Sequence, residues 1–468
     1  MNESTLDLRH PELFLTNASK PSNNSQLQSA IDLGKKFREA KRALKIHSES
    51  KKQLAKSFRI VKDDPDLIKQ HNLDVKQLCD KIKQAKTRLK NLETEIRSLV
   101  TPEPIDPPPL PAQFMPRISK TESTDQALKI AQLTTHNQQQ WTRYVEQHPN
   151  ATIYHSLTIK KVIEQTFNHK TLYLMAVDKN DEVRGVLPLT QLKSRLFGDL
   201  YCAVPFFNYG GVLADNDSIE TQLINHAWLT ASTYGSQHIE YRQTHKLSDL
   251  PCRDDKVSMI LELPEHKECL WQNLGSKLRA QINKAAAHTH QVKIGKLELV
   301  DDFYQVFAQR MRDLGTPVYS KKLFINMLKQ NASASIVVIY VKNRAASAGF
   351  ILGWRNTLEI PWASSIKDAN NQDNNMLLYW HILQFAIEQK YECFDFGRSS
   401  KDASTYKFKK QWGAKEYPLY WHYSLNEQDE IPSITTHNPK YQLAITIWKI
   451  LPIWLTKIIG PHIVKYIP

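Results

Sequence analysis

Glycine is scarce, at 14 of 468 residues, and no GxxxxGK run followed by Ser or Thr occurs, so a phosphate loop of the P-loop type is excluded. Neither GxSxG nor HExxH is present, which removes the nucleophile elbow and the zincin helix. The five cysteines, Cys79, Cys202, Cys252, Cys269 and Cys393, are scattered, odd in number and never spaced as CxxC. That argues against a disulfide framework and a zinc site. Acids are outnumbered, 48 against 62 Lys and Arg, for a net charge of +14. Such a balance favours anionic partners: nucleic acid, anionic lipid or a phosphate-bearing substrate. No apolar stretch approaches the roughly 20 residues that span a bilayer. The opening MNESTLDLRHPELFL has no basic region followed by an apolar core, so no signal peptide is expected. A cytoplasmic location is expected, reaching at most the inner face of the membrane.

What is present is ample core material, 41% hydrophobic residues with 18 Tyr, 16 Phe and 10 Trp, in a chain long enough for about three domains. Residues 1–28 are polar and rich in Asn and Ser, and are expected to be disordered. Residues 29–100 carry heptads. Leu33, Phe37, Ala40, Leu44, Leu54, Phe58 and Val61 follow one register, and Val75, Leu78, Ile82, Ala85, Leu89, Leu92, Ile96 and Leu99 a cleaner one. With Asp63-Asp64-Pro65-Asp66 between them, they predict an antiparallel coiled-coil hairpin. From Lys35 to Lys62 there are eleven Lys and Arg but two acids. This is either the solvated face of a structural coiled coil or a phosphate-contacting surface, with Lys35, Lys36, Arg38, Arg42 and Lys45 the candidate RNA contacts. Seven prolines between Thr101 and Pro116 predict a stiff linker over 101–124.

The remainder reads as mixed α/β (α+β). Strands are predicted at Leu172–Val177, Glu182–Leu189, Leu200–Val204, Gly211–Leu213 and His238–Arg242, with a helix over Ile219–Ser232 before the last. The order recurs: strands at Ile336–Val341, Ser347–Trp354 and Leu358–Ala363, a helix over Met376–Gln389, and Cys393–Phe396 as the closing strand. Gly185 then matches Gly349, and Glu240 in HIEYR matches Asp395 in CFDFGR, the mark of a duplicated α/β unit. The expected domains are 125–255 and 256–426, followed by a linker and amphipathic tail over 427–468. That tail either lies on a membrane or packs on the body.

The densest chemistry lies in CFDFGRSSKDASTYKFKKQWGA, Cys393 to Ala414. A strand leads to glycine, a cation and two hydroxyls, then to lysines interleaved with aromatics, an arrangement suited to an anionic or acylated substrate. Each piece alone has a structural reading. Asp395 could pair with a neighbouring base, the Trp362 strand end could be ordinary core, and PFFNYGG (Pro205–Gly211) could be a turn needing positive φ. The Asn and Asp residues of DANNQDNNM can cap the helix that follows, and its N-terminus could hold an anion.

Together, LGTPVYS (Leu314–Ser320), LEIPWASS (Leu358–Ser365), NNMLLYW (Asn374–Trp380), FDFGRS (Phe394–Ser399), YKFKKQWGA (Tyr406–Ala414) and, earlier, GVLPLTQLKSRLFG and PFFNYGG resemble the FemAB family. The branch they resemble most accompanies bacterial exopolysaccharide and exosortase (PEP-CTERM) systems. The resemblance covers about Trp141 to Leu425 and includes the tail. It implies two tandem acetyltransferase-like (GNAT) domains after the hairpin, and transfer of an aminoacyl or acyl group to an amine or hydroxyl of a peptidoglycan or exopolysaccharide precursor. The alternatives are a non-catalytic glycan- or lipid-precursor-binding scaffold, and an acyl-CoA-dependent acetyltransferase. The CoA pyrophosphate loop Q/RxxGxG/A is missing, in keeping with an aminoacyl-tRNA donor. No cofactor is expected beyond the donor, aminoacyl-tRNA or acyl-CoA. The hairpin also resembles the tRNA-binding arm of seryl-tRNA synthetases. On this reading Asp395, as orienter or proton acceptor, and Arg398 are the catalytic candidates. Substrate contacts are expected from Tyr319, Trp362, Ser364, Ser365, Asn375, Tyr379, Ser399, Tyr406, Lys407, Lys410, Trp412, Asn208 and Tyr209.

Overall fold

A computed structural model describes residues 24–61, 65–100, 128–195, 197–247, 250–287, 290–366, 373–401, 403–426, 429–432 and 439–468. The chain divides into two compact units, Met1–Pro108 and Pro109–Pro468. Of the N-terminal segment 1–28 expected to be disordered, residues 1–23 lie outside the described residues, as does the proline-rich linker, whereas residues 24–28 are already helical.

The first unit is a pair of long helices, Asn24–Val61 and Pro65–Val100. Proline opens the second helix, where its fixed φ suits the first turn and its missing N–H has no helical partner to lose. Ala30, Phe37 and Ala40 pack with Leu92 and Ile96, and Leu33 and Leu89 flank them. Residues 30–40 thus meet residues 89–96, so the chain folds back on itself. The small alanines let the helices approach closely at this end.

The second unit is built on one continuous sheet. Its first half supplies β1 (Lys129–Gln132), β2 (Thr171–Val177), β3 (Val183–Ser194), β4 (Gly198–Ala203), β5 (Leu213–Ala214) and β6 (His238–Gln243). Its second half supplies β7 (Cys252–Glu262), β8 (His290–Gly295), β9 (Ala334–Val341), β10 (Arg344–Trp354), β11 (Thr357–Ser365), β12 (Cys393–Ser400) and β13 (Lys415–Leu425). The order is β1-β2-β3-β4-β6-β13-β7-β12-β11-β10-β9-β8, with β5 beside β3. β9 and β10 form a tight hairpin in which Lys342 and Asn343 take φ of 49° and 61°, the left-handed pair that matches strand twist.

Two neighbouring pairs are parallel, β4 with β6 and β11 with β12. Parallel neighbours require a crossover, and each has a helix, Asp217–Thr233 in the first half and Asn374–Glu388 in the second. Gly185 on β3 and Gly349 on β10 occupy matching places. A Cβ on Gly185 would come within 2.9 Å of Leu223, and one on Gly349 within 3.0 Å of Ile382. Each glycine therefore lets its own crossover helix settle on the sheet. Leu377, Leu378, Ile382 and Leu383 of the second helix are fully buried, each contributing about 1.5–3 kcal/mol. Asn216 caps the first helix by accepting from the Ile219 N–H at 3.0 Å.

The second unit departs from the sequence expectations at three points. Cys393–Phe396 is not the closing strand. β12 runs on to Ser400, and β13 follows, inserted between β6 and β7 so that it joins the two halves into one sheet. β7 runs unbroken through residues 255 and 256, where the two domains were expected to part. At the second crossover helix, Asp373 makes no side-chain cap. Its carboxylate instead takes Lys284 at 2.8 Å and Gln281 at 3.2 Å. Residues 367–372, the rest of the expected capping run, are outside the described residues.

Candidate active site

The parallel register of β11 and β12 sets Glu359 directly beside Asp395. Both are buried. Glu359 accepts from the Tyr154 hydroxyl at 2.5 Å and the Asn208 amide at 2.8 Å. Asp395 accepts from the Tyr209 hydroxyl at 2.7 Å, the Ser258 hydroxyl at 2.8 Å and the Gly397 N–H at 2.7 Å. Tyr154, Asn208 and Tyr209 come from the first half of the unit, so the carboxylates tie the halves together. Burial, then the neighbouring Asp395 charge, pushes Glu359 up to about 8. Burial also raises Asp395, against the pull of its donors from Tyr209, Ser258 and Gly397.

Just past Asp395 the strand register slips relative to β7. Gly397 takes φ of +74°, a conformation glycine adopts without strain. The irregularity turns the next residue, Arg398, outward from the sheet while Ser399 turns back in. Lys409, on the short helix Ser404–Lys410, secures it by donating to the Gly397 carbonyl at 2.9 Å and the Arg398 carbonyl at 2.8 Å. Lys409 is 7% exposed; burial lowers its pKa to about 8 despite the nearby Asp395 charge. The loop that delivers Asn208 and Tyr209 is itself strained. Val204 and Phe206 adopt φ of 51° and 76°, unusual for such side chains and characteristic of positions the surrounding structure over-determines.

Arg398 faces a cavity of about 1040 Å³ that Arg242, Glu240, Ser399, Trp421 and Tyr423 also line. Arg242 and Arg398 both stack on the Trp421 indole, their guanidinium carbons 4.5 and 5.0 Å from the ring centre. Arg242 is anchored by Glu240 at 2.7 Å and the Phe207 carbonyl at 2.6 Å, but its second terminal nitrogen is buried without a hydrogen-bond partner. Ser399 Oγ is likewise unpartnered. Arg398 has no carboxylate partner among the described residues. The protein packed around its base, then the Arg242 charge, lowers Arg398 to about 10, although the side chain reaches solvent. Burial alone would raise Glu240, yet the charge and hydrogen bond of Arg242, with Tyr423, hold it below the usual carboxylate range. Tyr319 is raised by burial, partly offset by the Arg398 and Arg242 charges. Two cations on one indole, with donors left over, form a site ready for an anion.

The expected site residues therefore separate into groups. Asp395, Arg398, Ser399, Asn208, Tyr209 and Tyr319 come together. Trp362 packs among Phe324, Phe350 and Phe207 behind Tyr319. Ser364 is buried with an unpartnered hydroxyl, and the Ser365 hydroxyl donates to Asn375 at 3.3 Å. Tyr379 and Trp412 are core residues packed around Phe396. Lys407 and Lys410 are exposed, and Lys410 donates to the Tyr406 hydroxyl, which pairs with Glu416. Of the lysines in this motif, only Lys409 turns inward. Sequence reasoning missed Glu359, Tyr154, Arg242, Trp421 and Lys409. An acid inside the otherwise apolar LEIPW strand was the available signal for Glu359, and the HIEYR match to FDFGR was the signal for Arg242. On the first unit's helix, Lys35, Lys36, Arg42 and Lys45 are exposed and Arg38 is half-buried.

Residues 273–410 match the family model described as the acetyltransferase (GNAT) domain. The solved structure of FemX is 14% identical with a TM-score of 0.50, covering 68% of this chain and 100% of its own. L-PGS from Bacillus licheniformis is 13% identical, with a TM-score of 0.41 and coverage of 63% and 97%. A tandem GNAT protein from the clavulanic acid biosynthesis pathway is 9% identical, with a TM-score of 0.45 and coverage of 65% and 100%. No curated protein sequence matches the chain. The mixed α/β body shares its fold with FemX, and within it the chain carries a GNAT-like acetyltransferase domain.

Proposed function

We propose that the protein transfers an aminoacyl or acyl group to an amine or hydroxyl of an anionic cell-envelope precursor, in peptidoglycan or exopolysaccharide assembly. The observation that carries this reading is the pair Arg242 and Arg398 on Trp421, with donors left unfilled at a cavity beside the acetyltransferase-domain strands. A phosphate or carboxylate of the substrate takes those donors and fixes its position, and positioning supplies much of the rate. In the transfer itself the acceptor nitrogen or oxygen attacks the acyl carbonyl carbon, and its proton passes, directly or through water, to the departing ribose oxygen or CoA sulfur. The bond to the donor's ribose oxygen, or to CoA sulfur, then breaks. Lys409 spends two of its three N–H groups on the Gly397 and Arg398 carbonyls. These bonds hold the turn that aims Arg398 into the cavity. Asp395, its oxygens engaged by three donors, acts as a positioning residue for this segment.

An acyl-CoA donor is the second reading, favoured by the acetyltransferase model matching 273–410. Incubating the protein with charged tRNA or acyl-CoA, each with a lipid-linked acceptor, and reading product mass separates them. Transfer from either donor that Arg398→Ala abolishes supports the proposal. Binding of acceptor with no transfer from any donor leaves a scaffold instead, and undiminished turnover in Arg398→Ala sinks the site assignment.

A further inference from the structure

Residues 439–468 contain four lysines and no Asp or Glu. They form two helices, Pro439–Ile450 and Ile453–Val464, both resting on helix Val300–Leu314. The side turned toward the body carries the buried Trp448, Thr456 and Val464. It also carries Gly460, where a Cβ would come within 2.8 Å of the Val318 backbone nitrogen. The open side carries large apolar residues among Gln442, Thr446 and Lys449. Ile447 is 48% exposed and Ile450 78% on the first helix, and Trp454 is 64% and Ile458 59% on the second. Spacings of three and four residues put each pair on one face of its helix. Single exposed hydrophobics are ordinary. Four large ones within twelve positions, one of them tryptophan, on an acid-free segment are not.

We propose that this tail docks on the surface of an anionic lipid bilayer, its helices lying in the interface with Ile450, Trp454 and Ile458 inserted. The chemistry selects a bilayer over a protein groove. Tryptophan suits a boundary that is apolar on one side and wet on the other. Lys449, exposed between the apolar residues, and the chain's net charge of +14 complement anionic headgroups. A second copy of the same acid-free face would meet it with like charge. Each helix is about 18 Å long, and among the described residues no helix is long and apolar enough to cross a membrane, so the segment lies on the bilayer. The docking does not depend on the proposed function, but it extends it. Nine residues after Ile458 the chain reaches Ile467, which with Pro468 lines the Arg398 cavity. A docked tail would then hold the cavity rim near the headgroups, within reach of a lipid-linked phosphate.

The test is co-sedimentation of the full chain with vesicles of phosphatidylcholine alone or mixed with phosphatidylglycerol, at low and high salt. The protein should pellet with the mixed vesicles, less so at high salt. Ile450→Ser combined with Trp454→Ser should lower partitioning about tenfold or more with an unchanged circular dichroism spectrum. Equal partitioning of variant and wild type, or no binding to mixed vesicles, overturns the proposal. So does a wild-type dimer that the same variant dissociates without any vesicle binding, because the face then belongs to a second copy. Binding of a soluble phosphate-bearing acceptor, compared between wild type and Arg398→Ala without vesicles, probes the cavity separately. Its failure with vesicle binding intact would count against the proposed function alone.

Discussion

Glu359 and Asp395 are register partners on adjacent parallel strands, two acids side by side inside the sheet. The equivalent partners in the first half are Cys202 and Glu240, where a neutral thiol replaces one acid and Arg242 compensates the other. Among the described residues the second half has no such arginine against its pair. It relies on hydroxyl and amide donors, with a lesser pull from the Lys409 charge that burial and mutual repulsion outweigh, so one proton is retained there to relieve the repulsion.

That proton makes stability depend on pH. Folding moves Glu359 from about 4.5 to about 8, so between those values the folded protein keeps a proton that the unfolded chain has released. This contribution is fully present below about pH 4.5 and is lost as pH rises through 8; the raised Asp395 acts with the same sign. His155, His169, His238 and His422, held below the usual imidazole range by burial, act in the opposite sense, so the wild-type midpoint should fall over that window relative to that of Glu359→Gln. Glu359→Gln, which imitates the protonated acid, should flatten the decline and narrow or reverse any deficit at the alkaline end. A wild-type midpoint that rises with pH across the same window, unless Glu359→Gln rises more steeply still, would contradict the assignment.

Arg242 and Arg398 share the Trp421 ring but should respond oppositely to removal. Arg242→Ala leaves the buried Glu240 without its cation, which should cost about 3–5 kcal/mol in denaturant unfolding. Arg398→Ala removes a cavity-facing cation with no carboxylate partner among the described residues, and should leave unfolding within about 0.5 kcal/mol of wild type. Its effect should appear as weaker binding of phosphate-bearing ligands, by about tenfold or more. Equal destabilisation by the two would mean that Arg398 is structural.

Gly397→Ala tests the turn that aims Arg398. At φ of +74° an alanine is strained by about 1–2 kcal/mol, and its Cβ would meet the Asn208 amide nitrogen at 3.2 Å. Asn208 would then be pushed from Glu359. The expected result is a lower thermal midpoint together with weakened ligand binding, whereas Gly235→Ala, also at positive φ but with open space around it, should lower the midpoint alone.

The repeat was legible because strand periodicity and a crossover helix recur in both halves, and because Glu240 and Asp395 occupy like positions. Glu359 was not, because its partner lies 36 residues away and only the parallel register brings them together. Arg242 lay in HIEYR, but its meaning depends on Trp421, and nothing local in Lys415–Leu425 signals a strand that enters between two others. Lys409 was hidden among three lysines, since one turn of helix decides which of them points inward. Tyr379 and Trp412 were misleading for a related reason: aromatics near a cation look the same in sequence whether they line a cavity or fill the core beneath it.

The basic face of the hairpin bears on the identity of the donor, and its charges make that question measurable. Lys35, Lys36 and Arg42 are exposed on the first helix, with Lys35 and Arg42 two turns apart on one face. Lys45 lies 4.0 Å from Glu49, which already offsets it, so it is the weakest of the group. If aminoacyl-tRNA is the donor and the hairpin holds it, affinity should fall linearly in log–log plots against salt, because phosphate contacts release counterions. Replacing Lys35, Lys36 and Arg42 together by glutamate should reduce that slope by about one for each phosphate no longer neutralised and weaken tRNA binding at least tenfold at moderate salt. The substitutions touch neither Phe37 nor Ala40, so helix content should be unchanged. A slope and affinity equal to wild type would remove the hairpin from RNA binding and leave its basic face as solvated surface.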